Sequence, residues 1–237
     1  MTDPERIIIE EASRLADAAA EWIAAAVEAD LRHHGGCAFA LSGGETPRPV
    51  YERLARDPLA ARIVWREMDI YFGDERAVPP RDPTSNYGMA AATLLDRVPL
   101  PAVRVHRMEA ERPDRDAAAR EYERILPERL DILLLGMGPD GHTASLFPGS
   151  PAMDQQERLV VPVTGPTAPA ERLTITPPVI AAARRVAVLV AGADKAATVA
   201  RALQGPERPR DLPVQLARRG VWFLDRAAAA QLRSVAA

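Results

Sequence analysis

Residues 133–149 contain one aspartate and one histidine in a glycine-rich turn that follows a hydrophobic segment. Residues 130–135 are apolar except for Asp131, a pattern typical of a buried strand in a parallel sheet. Ligands of open α/β sheets bind at the carboxyl ends of such strands, so Asp140 and His142 lie where chemistry is expected. An imidazole, with an ordinary pKa of about 6.5, is a suitable base for activating water near neutral pH.

The same turn matches the G-x-G-x-x-G pattern of dinucleotide-binding folds, through Gly136, Gly138 and Gly141. That pattern should open a full helix and be followed about twenty residues later by an acidic residue. Here Pro148 stops any helix within two turns, and residues 159–162 are Leu-Val-Val-Pro. The sequence therefore disfavours nucleotide binding. The remaining alternative is a structural turn whose histidine caps neighbouring carbonyl groups.

A second candidate site follows the apolar residues 37–41. Thr46 is a suitable N-cap and Pro47 a suitable first residue of a helix that is predicted to reach about Ala55. The free amides of such a helix start, together with its dipole, favour a bound anion such as phosphate. A plain turn is the alternative. The segment as a whole is Ser42-Gly43-Gly44-Glu45-Thr46-Pro47.

Charged side chains also follow the predicted strand over residues 69–72, where the sequence continues Gly73-Asp74-Glu75-Arg76. Two carboxylates and one guanidinium at a strand end form either part of a binding site or a local cluster of ion pairs. Asn86 follows soon after, at the start of a helix that Ser85 is predicted to open.

Lys195 is the only lysine among the 30 Lys and Arg residues of the chain. It lies at the first turn of a predicted helix, directly after a predicted strand. A compact ammonium at such a place suits a phosphate pocket, where a planar guanidinium fits less well. The alternative is a single lysine left by chance on the surface.

Composition limits the possible classes of protein. The 237 residues are 47% hydrophobic and no linker-like segment divides them, so we expect one domain over residues 1–237. The net charge is −3 and the arginines are scattered among acidic residues, which argues against a nucleic-acid partner. No apolar run reaches the roughly 18 residues of a membrane span, and the amino terminus lacks the features of a signal peptide. We therefore expect a cytoplasmic protein without a membrane partner.

Cys37 is the only cysteine and lies in an apolar segment, so we expect a buried core residue rather than a nucleophile. No spacing of histidine, cysteine or carboxylate residues resembles a metal site. We expect neither a metal nor an organic cofactor.

The predicted elements alternate between strands and helices along the chain. Strands are predicted over residues 7–9, 37–41, 69–72, 130–135, 186–190 and 221–224. Helices are predicted over residues 12–31, 46–55, 85–95, 114–125, 192–203 and 227–235. This alternation predicts an α/β fold with a doubly wound, largely parallel sheet and helices on both faces, as in Rossmann-like proteins.

Four segments, SGGETP, YFGDERAVPPRDPTSNYGMA, LLLGMGPDGHTASLFPGS and VLVAGADKAATV, together resemble the 6-phosphogluconolactonase family of the glucosamine/galactosamine-6-phosphate isomerase superfamily. The resemblance covers essentially the whole chain. It implies metal-independent hydrolysis of 6-phospho-D-glucono-1,5-lactone to 6-phospho-D-gluconate, in the oxidative pentose phosphate pathway. The partner would be this small sugar-phosphate lactone, and the chain would be a monomer or a dimer.

The resemblance also implies roles for individual residues. His142 would take a proton from water, Asp140 would support the imidazole, and Asp74 would lie near the sugar ring. The phosphate would bind the amides of Gly43 and Gly44, near the hydroxyls of Ser42 and Thr46 and the ammonium of Lys195. Further contacts with the substrate are expected from Arg76, Asn86 and Arg172.

Two other functions remain as alternatives. Glucosamine-6-phosphate deaminases resemble this chain but contain D-G-H-I-A-F-N-E-P, where residues 140–148 here are D-G-H-T-A-S-L-F-P. The position of the deaminase glutamate is apolar in this chain, which favours the lactonase. A non-catalytic sugar-phosphate sensor should lack the histidine or carry a DNA-binding segment, and neither is seen in the sequence.

Overall fold

The computed structural model describes residues 6–233. Within this range the strands, in chain order, are β1 (Ile7–Glu10), β2 (Cys37–Leu41), β3 (Met68–Phe72), β4 (Asp74–Arg76), β5 (Ile132–Gly136), β6 (Val160–Thr164), β7 (Glu171–Ile175), β8 (Arg185–Val190) and β9 (Val221–Asp225). The α-helices are α1 (Ala12–His34), α2 (Arg48–Leu54), α3 (Leu59–Arg62), α4 (Asn86–Thr93), α5 (Arg115–Ile125), α6 (Pro177–Ala182) and α7 (Ala196–Gln204).

A six-stranded sheet forms the centre of the molecule, with the order β1-β9-β8-β5-β2-β3 and parallel pairing throughout. The predicted parallel α/β fold is confirmed. Hydrophobic runs explain the central strands, since the first four residues of β5 are fully buried. Helix α1 packs its apolar side, including Leu15, Ile23 and Val27, into the core. It ends at Gly35, whose φ of 73° suits a glycine after a helix.

Strand β2 lies between β3 and β5 in the sheet, so the strands that follow β2 in the chain are added on both of its sides. Such a reversal of strand order opens a crevice at the carboxyl ends of the strands. The segments that follow β2, β3 and β5 therefore meet at one edge of the sheet. These segments carry most of the candidate residues from the sequence.

A second, three-stranded sheet with the order β4-β7-β6 was not predicted. Its strands are antiparallel, and Asp74 to Arg76, which the sequence analysis placed only after the end of a predicted strand, form β4. Gly73 joins the two sheets, since its N–H donates to Leu41 O at 3.0 Å and its carbonyl accepts from Ile175 N at 2.9 Å. This pairing fixes the backbone of Asp74 and Arg76, which a free loop would not do.

Two predicted helix starts were wrong, and one predicted helix is not observed in its described part. Helix α2 begins at Arg48 rather than Thr46, because residues 45–47 form a turn and Pro47 is the N-cap without a side-chain hydrogen bond. Helix α7 begins at Ala196, since a single 3₁₀ turn over Ala193–Lys195 precedes it. Residues 227–231 form turns instead of a helix, and the last part of that predicted helix lies outside the described residues.

The start of α4 agrees with its prediction, because Ser85 Oγ accepts from Gly88 N at 3.0 Å as an N-cap. That helix ends at Thr93 rather than Leu95. No helix among residues 6–233 is long and apolar enough to cross a bilayer.

Candidate active site

A cavity of about 160 Å³ lies at the carboxyl ends of β2 and β5, beside β4. Nine candidate residues from the sequence line it: Ser42, Gly43, Gly44, Thr46, Asp74, Arg76, Asn86, His142 and Arg172. A larger cavity of about 540 Å³ elsewhere is lined by residues such as Leu95 and His106 and includes none of the candidates. The smaller cavity is therefore the candidate active site.

His142 and Asp140 form a pair at the edge of this cavity. His142 Nδ1 lies 2.6 Å from Asp140 Oδ1, which also accepts the backbone N–H of His142 at 3.1 Å. Spacing alone left open whether the two side chains meet. Because the carboxylate is an acceptor, we assign the ring proton to Nδ1, which leaves the lone pair on Nε2. A neutral imidazole held in this tautomer is equipped to accept a proton.

The turn around His142 depends on its glycines. A Cβ at Gly138 would lie 2.1 Å from ring atoms of His142, so any other residue would displace the imidazole. Gly141 has a φ of 87°, which favours glycine. Ala144 adopts a φ of 47°, an uncommon conformation for a residue with a Cβ. Its neighbours must therefore hold this part of the turn in place.

Asp74 is buried, with 6% of its surface exposed, and both of its carboxylate oxygens accept hydrogen bonds. Asn86 Nδ2 donates to Oδ1 at 2.9 Å, and Ser145 Oγ donates to Oδ2 at 2.6 Å. Asn86 in turn accepts from Arg76 Nη1 at 2.5 Å. Arg76 Nε is buried and has no hydrogen-bond partner within the described part of the chain. It is a donor with no protein group to satisfy it.

Arg172, on β7, contacts the same Ser145 hydroxyl that donates to Asp74. Its Nη1 donates to Ser145 Oγ at 3.4 Å and its Nε donates to Pro169 O at 3.1 Å. The guanidinium carbon stands 5.5 Å from the centre of the Phe147 ring. Burial lowers the pKa of Arg172, opposed by the negative charge of Asp74. The group still remains cationic at neutral pH.

Phe147 was not proposed as a site residue, yet its ring lies 4.9 Å from the imidazole of His142, between centroids. Residue-by-residue comparison with D-G-H-I-A-F-N-E-P places Phe147 at the deaminase glutamate. An aromatic ring therefore packs against the imidazole at the position where the deaminase motif supplies a carboxylate.

The glycine turn after β2 presents its backbone to the cavity. A Cβ at Gly43 would lie 1.8 Å from Asn86 Oδ1, so only glycine fits there. Gly44 has a φ of 94°, which again favours glycine. Within residues 6–233 the amides of Gly43 and Gly44 donate no hydrogen bond to another protein group. Two adjacent free N–H groups suit an anionic oxygen.

Glu75 does not line the cavity, and its carboxylate contacts the start of α4. Its carboxylate accepts from the backbone N–H of Asn86 and of Tyr87, both at 2.8 Å, and from Ser85 Oγ at 3.0 Å. Burial raises the pKa of Glu75, while these hydrogen bonds oppose that shift. The carboxylate thereby fixes the helix turn that carries Asn86.

Lys195 and Asp140 do not line the cavity. The Lys195 ammonium lies 3.2 Å from Asp194 Oδ2, and its side chain is 18% exposed. Among residues 6–233, no three histidine, cysteine, aspartate or glutamate side chains come together as a metal site.

The residues that sequence reasoning missed are Ser145, Phe147 and Tyr51. Ser145 and Phe147 lie inside the motif that contains His142, but Asp74 and Arg172, which they contact, are distant in sequence. Tyr51 resembled any apolar residue of a helix, yet its hydroxyl contacts both backbone groups of Ser42 in the glycine turn.

A parallel α/β fold with a paired histidine at the switch point of the sheet is typical of an enzyme acting on a small molecule. The family model described as glucosamine-6-phosphate isomerases/6-phosphogluconolactonase matches residues 10–224. The chain belongs to this family, which confirms the resemblance inferred from the four motifs and the expectation of an enzyme.

Individual relatives agree with this assignment. A 6-phosphogluconolactonase of Streptomyces coelicolor is 39% identical over 248 residues, covering 97% of this chain and 95% of the relative. One from Synechocystis is 37% identical over 216 residues, covering 86% and 88%. The solved structure of 6-phosphogluconolactonase from Trypanosoma cruzi superimposes with a TM-score of 0.85 at 28% identity, covering 99% of each chain. A monomeric glucosamine-6-phosphate deaminase, at 22% identity and a TM-score of 0.83, shares the fold.

Proposed function

We propose that the protein hydrolyses 6-phospho-D-glucono-1,5-lactone to 6-phospho-D-gluconate, as a step of the oxidative pentose phosphate pathway and without a metal. The observation that supports this most directly is the 2.6 Å pair of His142 and Asp140 beside a cavity with a free-amide glycine turn. The names of the relatives identify the lactone as the substrate to test.

The proposed reaction begins at His142. Its Nε2 takes a proton from water, and the resulting hydroxide attacks the lactone carbonyl carbon C1. The tetrahedral intermediate then collapses as the bond from C1 to the ring oxygen breaks. The imidazolium returns its proton to that oxygen, which leaves as an alcohol and regenerates the base. Asp140 stabilises the imidazolium and keeps Nε2 directed at the reaction.

The remaining residues are proposed to bind the substrate. The phosphate accepts hydrogen bonds from the amides of Gly43 and Gly44, beside the hydroxyls of Ser42 and Thr46. Lys195, whose ammonium lies 3.2 Å from Asp194 Oδ2, is proposed to add positive charge.

The sugar is proposed to contact side chains of β4, α4 and β7 that line the same cavity. Asp74 and Asn86 are proposed to bind sugar hydroxyl groups. Arg76 is proposed to contact substrate oxygens through its unpartnered Nε, and Arg172 contributes positive charge.

The decisive experiment supplies freshly prepared 6-phosphoglucono-δ-lactone and follows its disappearance against the spontaneous rate. We expect hydrolysis well above that rate, unchanged by a chelator. Glucosamine 6-phosphate serves as the comparison substrate, and we expect no ammonia release because Phe147 supplies no carboxylate. Formation of fructose 6-phosphate would establish the deaminase reaction instead, and turnover of neither substrate would favour a sensor.

A further inference from the structure

Tyr51 is a fully buried tyrosine of α2 that lies behind the glycine turn. Its hydroxyl accepts the backbone N–H of Ser42 at 2.8 Å and donates to the carbonyl oxygen of the same residue at 2.7 Å. One side chain thus satisfies both backbone groups of the residue where β2 ends and the turn begins.

The contacts between Tyr51 and Ser42 affect the backbone of Gly43 and Gly44, the next two residues. Ser42 has left the strand ladder, so without the tyrosine its N–H and C=O would be partly buried without partners, which is costly. With both groups fixed on one hydroxyl, the peptide plane before Gly43 has a single orientation. Gly43 and Gly44 line the cavity, and glycine is the residue type with the greatest backbone freedom, so fixing the preceding peptide plane limits the directions in which their free amides point.

A fully buried hydroxyl is not there for packing alone, because phenylalanine would fill the same space without a polar group to satisfy. Burial raises the pKa of Tyr51 far above its usual value, so the group stays a neutral phenol that donates as well as accepts. At neutral pH the hydroxyl can therefore always make both of its hydrogen bonds with the Ser42 backbone.

We propose that Tyr51 is the positioning residue of the phosphate-binding turn, acting through Ser42 to preorganise the amides of Gly43 and Gly44. This inference rests on the proposed function, because it takes the turn as the site of the substrate phosphate. Tyr51 itself touches no substrate. Its hydroxyl sets the affinity for phosphate and not the chemistry at His142.

The fold supplies a matched control in Tyr122 of α5. This tyrosine is also fully buried, and its hydroxyl also clamps one residue at a strand end, accepting from Phe72 N at 2.8 Å and donating to Phe72 O at 3.4 Å. It lines no part of the candidate active site. Tyr51→Phe and Tyr122→Phe therefore remove the same kind of hydroxyl, and both are expected to fold because the ring is retained.

The test titrates inorganic phosphate into the wild type and both variants by calorimetry, which requires no turnover. We expect Tyr51→Phe to weaken phosphate binding by about five- to ten-fold, the size of one or two lost hydrogen bonds. Tyr122→Phe should bind phosphate as the wild type does, with a comparable fall in melting temperature. With substrate, Tyr51→Phe should raise KM for the phosphorylated lactone, leave kcat within about two-fold, and barely change hydrolysis of glucono-δ-lactone.

Three results would overturn the inference: equal weakening in both variants, no weakening in Tyr51→Phe, or no phosphate binding by the wild type. Failure of the proposed function has a different signature. In that case 6-phosphogluconolactone is not hydrolysed by any of the three proteins, whatever the phosphate titration gives.

Discussion

Ser145 donates a hydrogen bond of 2.6 Å to Asp74 although the two residues are 71 positions apart in the chain. The bond joins the turn that carries His142 to the strand that begins at Asp74. Ser145 N also donates to Thr174 Oγ1 at 3.1 Å, on the strand next to β4. These two bonds hold the turn just after the strained Ala144, so the relative position of His142 and Asp74 depends on Ser145.

Ser145→Ala is therefore expected to lower kcat/KM by roughly ten-fold and to destabilise the fold by about 1.5–3 kcal/mol, mainly from loss of the buried hydrogen bond to the Asp74 carboxylate. The informative measurement is a double-mutant cycle with Asp74→Asn. If Ser145 acts through Asp74, the loss in kcat/KM should be clearly less than additive. Strict additivity would show that Ser145 acts on kcat/KM independently of Asp74.

His142→Ala is expected to reduce kcat by a factor on the order of 10² to 10⁴, with KM changed by only a few-fold, because a general base acts in the transition state. His106→Ala is a matched control. That imidazole also contacts a carboxylate, Asp69, at 2.9 Å, but lies outside the candidate site. Steady-state kinetics on the lactone should show normal turnover for the control. Near-normal kcat in folded His142→Ala would remove the imidazole from the mechanism.

The sequence was sufficient for the parallel sheet, because its strands are continuous hydrophobic runs and its helices carry clear periodicity. The second sheet was missed because β4 has only three residues, all charged, and is a strand only through its pairing with β7. Nothing local in Asp74 to Arg76 distinguishes it from a loop.

Most candidate residues of the site were found through their types and their positions after predicted strands, whereas Arg172 came only from the family resemblance. Their partners were not, because hydrogen bonds such as that of Ser145 to Asp74 depend on the packing of two sheets. Gly43 is an example. A glycine is required at this position because the Asn86 side chain lies against it, and no short motif predicts a contact between residues 43 positions apart.

Glu75→Gln is expected to change how stability depends on pH. Since burial raises the pKa of Glu75 above its ordinary 4.5, the folded state binds this proton more tightly than the unfolded state does. The tighter binding of this proton stabilises the folded state. This stabilisation is fully present below about pH 4.5 and is lost as the pH rises through the pKa of Glu75 in the folded state. Glu75→Gln lacks this titrating group. Its free energy of unfolding also differs from that of the wild type by an amount that does not depend on pH, because the amide binds the start of α4 less strongly.

Denaturant unfolding of both proteins from about pH 4 upward measures the difference directly, because other titrating groups cancel in the comparison. The wild type should lose stability relative to Glu75→Gln as the pH rises. A constant difference over the whole range would contradict a raised pKa at Glu75.

Lys195→Ala tests the cation proposed for the phosphate. We expect KM for the phosphorylated lactone to rise by roughly ten-fold or more, the effect of one charged hydrogen bond, while hydrolysis of glucono-δ-lactone barely changes. Lys195→Arg should restore only part of the affinity, because a planar guanidinium does not replace a compact ammonium.

Asp194→Asn is the matched control, since it removes the carboxylate 3.2 Å from Lys195 Nζ and frees the ammonium for substrate. Its KM should be equal to or lower than that of the wild type. If Lys195→Ala and Asp194→Asn instead lower the melting temperature alike and leave KM unchanged, the two residues form a structural ion pair and the phosphate is held by the glycine turn without the lysine.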